Sequence, residues 1–157
     1  MADIPDSKLK RYFSEYAHPE KTKKEVVALL KSYKGLQLEQ DTYEFHNGFV
    51  KRLANLRGTI RVGFKGLTYH IPVCIWLMDT HPDHAPICYV KPTADMKINI
   101  SPNVDHTGKI YSPYLPNWIK VKYSLVFFFL SNILNWTKVK HSLVFLFPSN
   151  ILNWRAC

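Results

Sequence analysis

The stretch SPNVDHTGKIYSPYL, residues 101–115, is punctuated like a loop that delivers a reactive side chain to solvent. At its centre, where a nucleophile would stand, the residue is Tyr111. A phenol with a pKa near 10 is a poor nucleophile at neutral pH, so Tyr111 is expected to be structural. Metal chemistry has one candidate. His81 and His84 in THPDHAP lie at i, i+3 with Asp83 between them, but Pro82 and Pro86 place them in a loop with no third ligand nearby. Cys74, Cys88 and Cys157 are too widely spaced for a disulfide framework or a zinc pattern. Cys74 and Cys88 lie in apolar runs and are expected to be buried, inert thiols. The six glycines are spread singly, so no phosphate-cradling loop forms. No metal and no cofactor is expected.

The elements that would carry this loop are legible from periodicity. Asp6 and Ser7 can cap a first helix, whose apolar side holds Leu9, Tyr12, Phe13 and Tyr16 before Pro19 breaks it. Thr22 and Glu25 have capping-box spacing for a second helix, with Val26, Leu29, Leu30 and Tyr33 as its stripe and Gly35 as its stop. The period then changes from 3.6 to two. TYEFHNGFVKRL (42–53) predicts a hairpin turning at Asn47-Gly48, and a longer pair follows around Lys65-Gly66. Leu67, Tyr69, Ile71, Val73, Ile75 and Leu77 alternate onto one face, and APICYVKP (85–92) is a short fourth strand. Short turns between consecutive strands predict an antiparallel meander, so the fold class is α+β. Residues 92–118 are rich in Pro, Asn, Gly and Asp and predict a long, shaped loop.

Composition bounds the rest. The chain has 157 residues, 46% of them hydrophobic, enough for one domain with a sizeable core. Its formal charge of +9 divides into +3 over residues 1–60, +1 over 61–110 and +5 over 111–157. Lys and Arg stand singly or in pairs, so a solvated surface is expected rather than a nucleic-acid stripe. The opening MADIPDSKLKRY has no apolar stretch, and a reduced, cytoplasmic setting is expected.

The last part of the chain is a duplication. NWIKVKYSLVFFFLSNIL (117–134) and NWTKVKHSLVFLFPSNIL (135–152) differ at four of 18 positions, namely Ile119/Thr137, Tyr123/His141, Phe128/Leu146 and Leu130/Pro148. Two copies are fewer than a solenoid needs, and neither apolar core reaches the ~20 residues of a membrane span. LVFFFL is an aggregation-prone window. The expected division is a folded domain over 1–118 and an atypical apolar tail over 119–157.

Two helices, a four-stranded meander and PNV followed by GKIY is an order that resembles the ubiquitin-conjugating-enzyme fold. Tyr111 occupies the place of that family's catalytic cysteine, and Ser101 that of a histidine before Pro102-Asn103. LRGTIRV (56–62), YHIPVCIWLMDTHP (69–82), PICYVKPT (86–93) and VDHTGKIYSPYLPNW (104–118) narrow the resemblance to UEV domains, the inactive variants, over residues 6–118. The similarity is to the ESCRT-I type and its lactate-dehydrogenase-fused relative. It implies a non-catalytic ubiquitin-binding module in endosomal cargo sorting, with Glu44, His46, Asn47 and Tyr89 contacting ubiquitin or ubiquitinated cargo. It further implies a groove for Pro-Thr/Ser-Ala-Pro peptides on Thr59, Phe64, Tyr69, His70, Ile71, Thr93 and Met96, with the opposite wall replaced by the repeat. Other ESCRT-I subunits would be reached only through regions absent here. The implied setting is cytoplasmic and endosome-associated, with no membrane span and no nucleic-acid partner. The alternatives are a non-catalytic cofactor of an active conjugating enzyme, or a truncated product without function.

Overall fold

A computed structural model describes residues 3–64, 66–112, 115, 116, 118 and 143–145. Two helices pack on one face of a four-stranded sheet. The first, α1 (Asp6–Phe13), begins after Pro5 with no side-chain cap, so Asp6 and Ser7 are helical residues rather than its cap. Asp6 instead sits in the positive first turn and pairs with Lys10 at 2.9 Å and Lys23 at 3.3 Å. Pro19 starts α2 (Pro19–Ser32) instead of merely ending its predecessor. Proline suits a first helical position because the N–H it lacks would have had no partner there. Thr22 is therefore inside α2, not its cap. Its buried hydroxyl lies 2.8 Å from the His18 carbonyl and 3.0 Å from the His81 carbonyl. Gly35 does not stop the helix, which ends at Ser32. Gly35 is needed where β1 begins, because a Cβ there would meet the Thr59 carbonyl at 2.5 Å.

The sheet runs β1 (Leu36–Glu44), β2 (Val50–Phe64), β3 (Leu67–Trp76) and β4 (Ile87–Val90), in that spatial order and antiparallel throughout. This is the expected meander. Alternation sorts each strand onto two faces. Leu36, Leu38, Leu56, Ile60, Ile71, Val73 and Ile75 meet Leu9, Phe13, Val26 and Leu29 of the helices, and this is the main core. Leu53, Cys74 and Trp76 form a smaller cluster on the other face, with Tyr43, Phe45, Ile87 and Tyr89 packed against it.

Tyr16 ties the layers together. Its hydroxyl donates to the Leu77 carbonyl at 2.7 Å and accepts from the Ala54 N–H at 3.0 Å. Beyond β4 the chain returns as the loop at 101–112. Ile110 N–H donates to the Cys88 carbonyl at 2.8 Å, and Tyr89 is bridged to Lys109. Gly108, at φ 88°, is required here, since a Cβ would come within 2.5 Å of the Val90 carbonyl. Trp118 is buried, and its indole N–H donates to the Pro82 carbonyl at 2.8 Å. Inside the predicted long loop lies a short strand, β5 (Met96–Ile98), which pairs antiparallel with β6 (Leu143–Phe145) of the duplicated tail. The rest of the tail division falls outside the described residues. Among the described residues no helix is long and apolar enough to cross a membrane.

Removing the Tyr16 hydroxyl leaves a buried N–H and a buried carbonyl without it, so Tyr16→Phe should lower stability by about 1–3 kcal/mol in urea unfolding. Burial pushes the Tyr16 phenol up to about 12 from an ordinary 10.0. The folded state thus holds this proton more tightly than the unfolded chain does. Its contribution is complete below pH 10 and is lost as pH rises towards 12. Tyr16→Phe should flatten that part of the stability–pH curve.

Candidate functional site

The loop around Tyr111 is organised by one carboxylate. Asp105 Oδ1 accepts the N–H groups of Thr107 at 2.8 Å and Lys109 at 3.0 Å, and Oδ2 accepts the Tyr111 hydroxyl at 3.0 Å. Partial burial opposes the charge of Asp105, but hydrogen bonds from Thr107, Tyr111 and Lys109 outweigh it and hold the carboxyl below its usual pKa. The same bond raises the Tyr111 phenol, so Tyr111 is a fixed donor rather than a nascent nucleophile. Tyr111 is 48% exposed, with the Lys109 ammonium 5.7 Å from its ring centre. The described cysteines offer no substitute. Cys88 is buried and pushed up to about 12 by desolvation, and Cys74 is raised for the same first reason.

The histidine pair separates. His81 is wholly buried with Nε2 2.6 Å from Glu25 Oε2, whereas His84 is on the surface with Nδ1 2.8 Å from the Thr80 hydroxyl. Asp83 pairs with His18 at 2.8 Å. Among the described residues, no three His, Cys, Asp or Glu side chains come together to hold a metal ion.

Glu44, His46 and Asn47 stand exposed at the tip of the β1–β2 hairpin. The tip is a built turn. Phe45 N–H donates to the Phe49 carbonyl at 2.8 Å, the Asn47 side chain accepts the Phe49 N–H at 3.0 Å, and Gly48 takes φ 80°. Tyr89 lies on β4, on the outer face of the sheet. Its hydroxyl is 3.0 Å from that of Tyr43, and the Lys91 ammonium is 5.2 Å from its ring centre. Burial and the Tyr43 hydroxyl push the Tyr89 phenol up to about 12.

Between the hairpin and Tyr89 runs an aromatic row that sequence reasoning did not single out. Tyr43 is 4.9 Å from Phe45 and 5.1 Å from Trp76, ring centre to ring centre. At the hairpin it ends in Phe49, 57% exposed, and Val50, 54% exposed. The alternation in β3 held the signal. If Val73 and Ile75 face the helices, Cys74 and Trp76 must face away.

The described groove positions divide between the two faces of the sheet and the segment after β4. Ile71 belongs to the main core and is 0% exposed, and Tyr69, on the same face of β3, is 7% exposed. Thr59 and His70 occupy the opposite face, paired with Pro72 and Arg61. Thr93 is exposed, with its hydroxyl bonded to Asp95, and Met96 lies on β5 against the main core. Phe64 ends β2.

With activating enzyme, ATP and ubiquitin, neither Tyr111, Cys74 nor Cys88 should acquire ubiquitin. Gel shift with and without reductant, followed by peptide mapping, reads the outcome; a thiol-sensitive adduct at Cys74 or Cys88 would overturn the assignment.

A model of the UEV domain matches residues 8–141. The chain is 45% identical over 115 residues to the Tumor susceptibility gene 101 protein of Homo sapiens, covering 73% of this chain and 30% of that one. It is 36% identical over 110 residues to Ubiquitin-conjugating enzyme E2 variant 3 of Xenopus tropicalis, covering 70% and 23%. Protein ELC of Arabidopsis thaliana is 38% identical over 102 residues, covering 64% and 26%. The chain thus spans 30% or less of the length of these relatives. Two solved structures share the fold. The yeast vps23 UEV domain in complex with a vps27 PSDP peptide superposes with TM-score 0.70 at 20% identity, over 86% of this chain and 94% of that one. The Vps23 UEV in complex with ubiquitin gives 0.64 at 21% identity, over 85% and 94%. With Tyr111 in the nucleophile's place, the chain belongs to the UEV domain family, the non-catalytic variants of the ubiquitin-conjugating fold.

Proposed function

We propose that this chain is a ubiquitin-binding module of endosomal cargo sorting, of the ESCRT-I type. The observation that carries the proposal is the aromatic row on the outer face of the sheet. It runs from exposed Phe49 through Phe45, Tyr43 and Trp76 to Tyr89. Aromatic side chains supply most of the binding energy per residue at protein interfaces and keep a polar tip for water or partner. Glu44, His46 and Asn47 flank the row as polar contacts. A structural neighbour, the Vps23 UEV, is solved with ubiquitin, which supports ubiquitin as the occupant.

Proline-rich peptide recognition is a weaker companion. The neighbour solved with a PSDP peptide supports it. A groove of this kind needs aromatic surface on two sides of a polyproline-II ligand. Here Ile71 has no exposed surface and Tyr69 almost none. If burial removes on the order of 100 Å2 of contact, the loss is about 2.5 kcal/mol, near a hundredfold in affinity.

Titrating the 15N-labelled chain with ubiquitin should shift amides at 44–49, 76 and 89, with a Kd of roughly 0.1–1 mM, as small transient interfaces give. Phe49→Ser removes an exposed anchor without touching either core and should weaken binding about tenfold. Shifts confined to the helical side would refute the site. In the same assay a Pro-Thr-Ala-Pro peptide should bind weakly or undetectably, and a Kd of tens of micromolar or tighter would restore the groove.

A further inference from the structure

We infer that the free edge of β1 and the groove beside it form a docking site for an extended acidic peptide, separate from the aromatic row. β1 is the first strand of the sheet, and among the described residues no strand pairs with its free edge. The alternation of an antiparallel ladder fixes which backbone groups lie there. Thr59 N–H donates to the Gly35 carbonyl and Phe45 N–H to the Phe49 carbonyl, so the odd-numbered residues of β1 bond to β2. Leu36, Leu38 and Gln40 therefore turn their N–H and carbonyl groups away from β2. The Leu38 carbonyl agrees with this parity, because it accepts from the Lys8 ammonium at 3.3 Å.

Alongside this edge lies a cavity of about 490 Å3 between β1, α1 and the end of α2. Ile4, Val27, Leu30, Leu36 and Leu38 give it an apolar floor, and Lys8, Lys31 and Lys34 line it as well. Among the described residues none of these three lysines pairs with a carboxylate, whereas Lys10 and Lys23 do. Asp3 and Glu39 also line the cavity, but Glu39 lies 3.6 Å from Arg57. The lining thus carries three positive charges against two negative, one of which is already paired. A lysine on a strand edge ordinarily keeps other strands away. Lys8 does so by occupying a carbonyl that an added strand needs. A carboxylate on the incoming peptide is a stronger partner for that ammonium than a neutral carbonyl, so it frees Leu38 and the edge selects acidic segments. In an added strand alternate side chains turn to the helix side. One apolar side chain there fills the cavity, and acidic ones two residues to either side meet the lysines.

The probe is acetyl-Glu-Thr-Leu-Thr-Glu-amide, with acetyl-Gln-Thr-Leu-Thr-Gln-amide as the neutral control, each titrated into the 15N-labelled full chain. The acidic peptide should bind with a Kd of roughly 1 mM, shifting the amides of Lys8, Lys31, Leu36, Leu38 and Gln40, and the neutral one about fivefold more weakly. Hydrogen exchange should slow at Leu38 and Gln40 and stay unchanged at Gln37 and Glu39, whose N–H groups already bond to β2. Lys31→Glu with Lys34→Glu should weaken the acidic peptide about tenfold, with the spectrum away from the groove unchanged. Lys8→Ala uncovers the Leu38 carbonyl and should narrow the preference for the acidic peptide. Equal binding of the two peptides by the unaltered chain would overturn the charge selection. Shifts at Lys31 and Lys34 without protection at Leu38 would refute strand addition. No shift from the acidic peptide at about ten times that Kd would remove the site altogether.

Discussion

The pairing of β2 along both its edges is the constraint on which the rest depends. Its fifteen residues are matched to β1 on one side and β3 on the other, from Val50 to Phe64. A shift of one residue in either register would turn Leu56 and Ile60 away from the helices and bring Asn55 and Arg57 towards them. Two glycines secure the register where β1 enters. Gly58 has φ 144°, and a Cβ on it would collide with the Gly35 carbonyl. The close approach of these two backbones lets the chain leave α2 and join the sheet at once.

From that register come both faces. The inner one is an ordinary aliphatic core under two short helices. The outer one is different in kind, because its apolar atoms belong mostly to Tyr43, Phe45, Trp76 and Tyr89. Aromatic rings with polar tips can stand half in water without the penalty that aliphatic side chains would incur, so such a face is stable alone and still has area to give a partner. The two tyrosine hydroxyls satisfy one another at 3.0 Å, which spares the face an unpaired polar atom.

The region of Tyr111 shows the same economy. A loop that in an enzyme would hold a nucleophile ready is here held closed by Asp105, which gathers the Thr107, Lys109 and Tyr111 donors. The hydrogen bonds that would have to yield for chemistry are the ones that give the loop its shape. Loss of reaction and retention of fold are thus compatible, since the fold is kept by packing and backbone pairing and the reaction by one atom.

The sequence by itself determined the elements and their order, because alternation and helical spacing are properties of neighbouring residues. Leu67 to Leu77 gave β3 its helix-facing side, and Asn47-Gly48 gave the hairpin its turn. The sequence also made Tyr111 a poor nucleophile, since an ordinary phenol with a pKa near 10 stays protonated at neutral pH. Helix starts were less legible. Asp6, Ser7, Pro19 and Thr22 each suit a cap or a first turn, and only packing against Lys23 and His81 decides between them. The surfaces were least legible. Whether Ile71 lines a groove or fills a core depends on which side the helices cover, and whether Trp76 belongs with Tyr89 depends on strand pairing across 13 residues. The pairing of Met96–Ile98 with one of two near-copies in the tail was likewise a tertiary decision. Local pattern states what a residue can do; long-range contacts, formed between segments that carry no mark of one another, state where it does it.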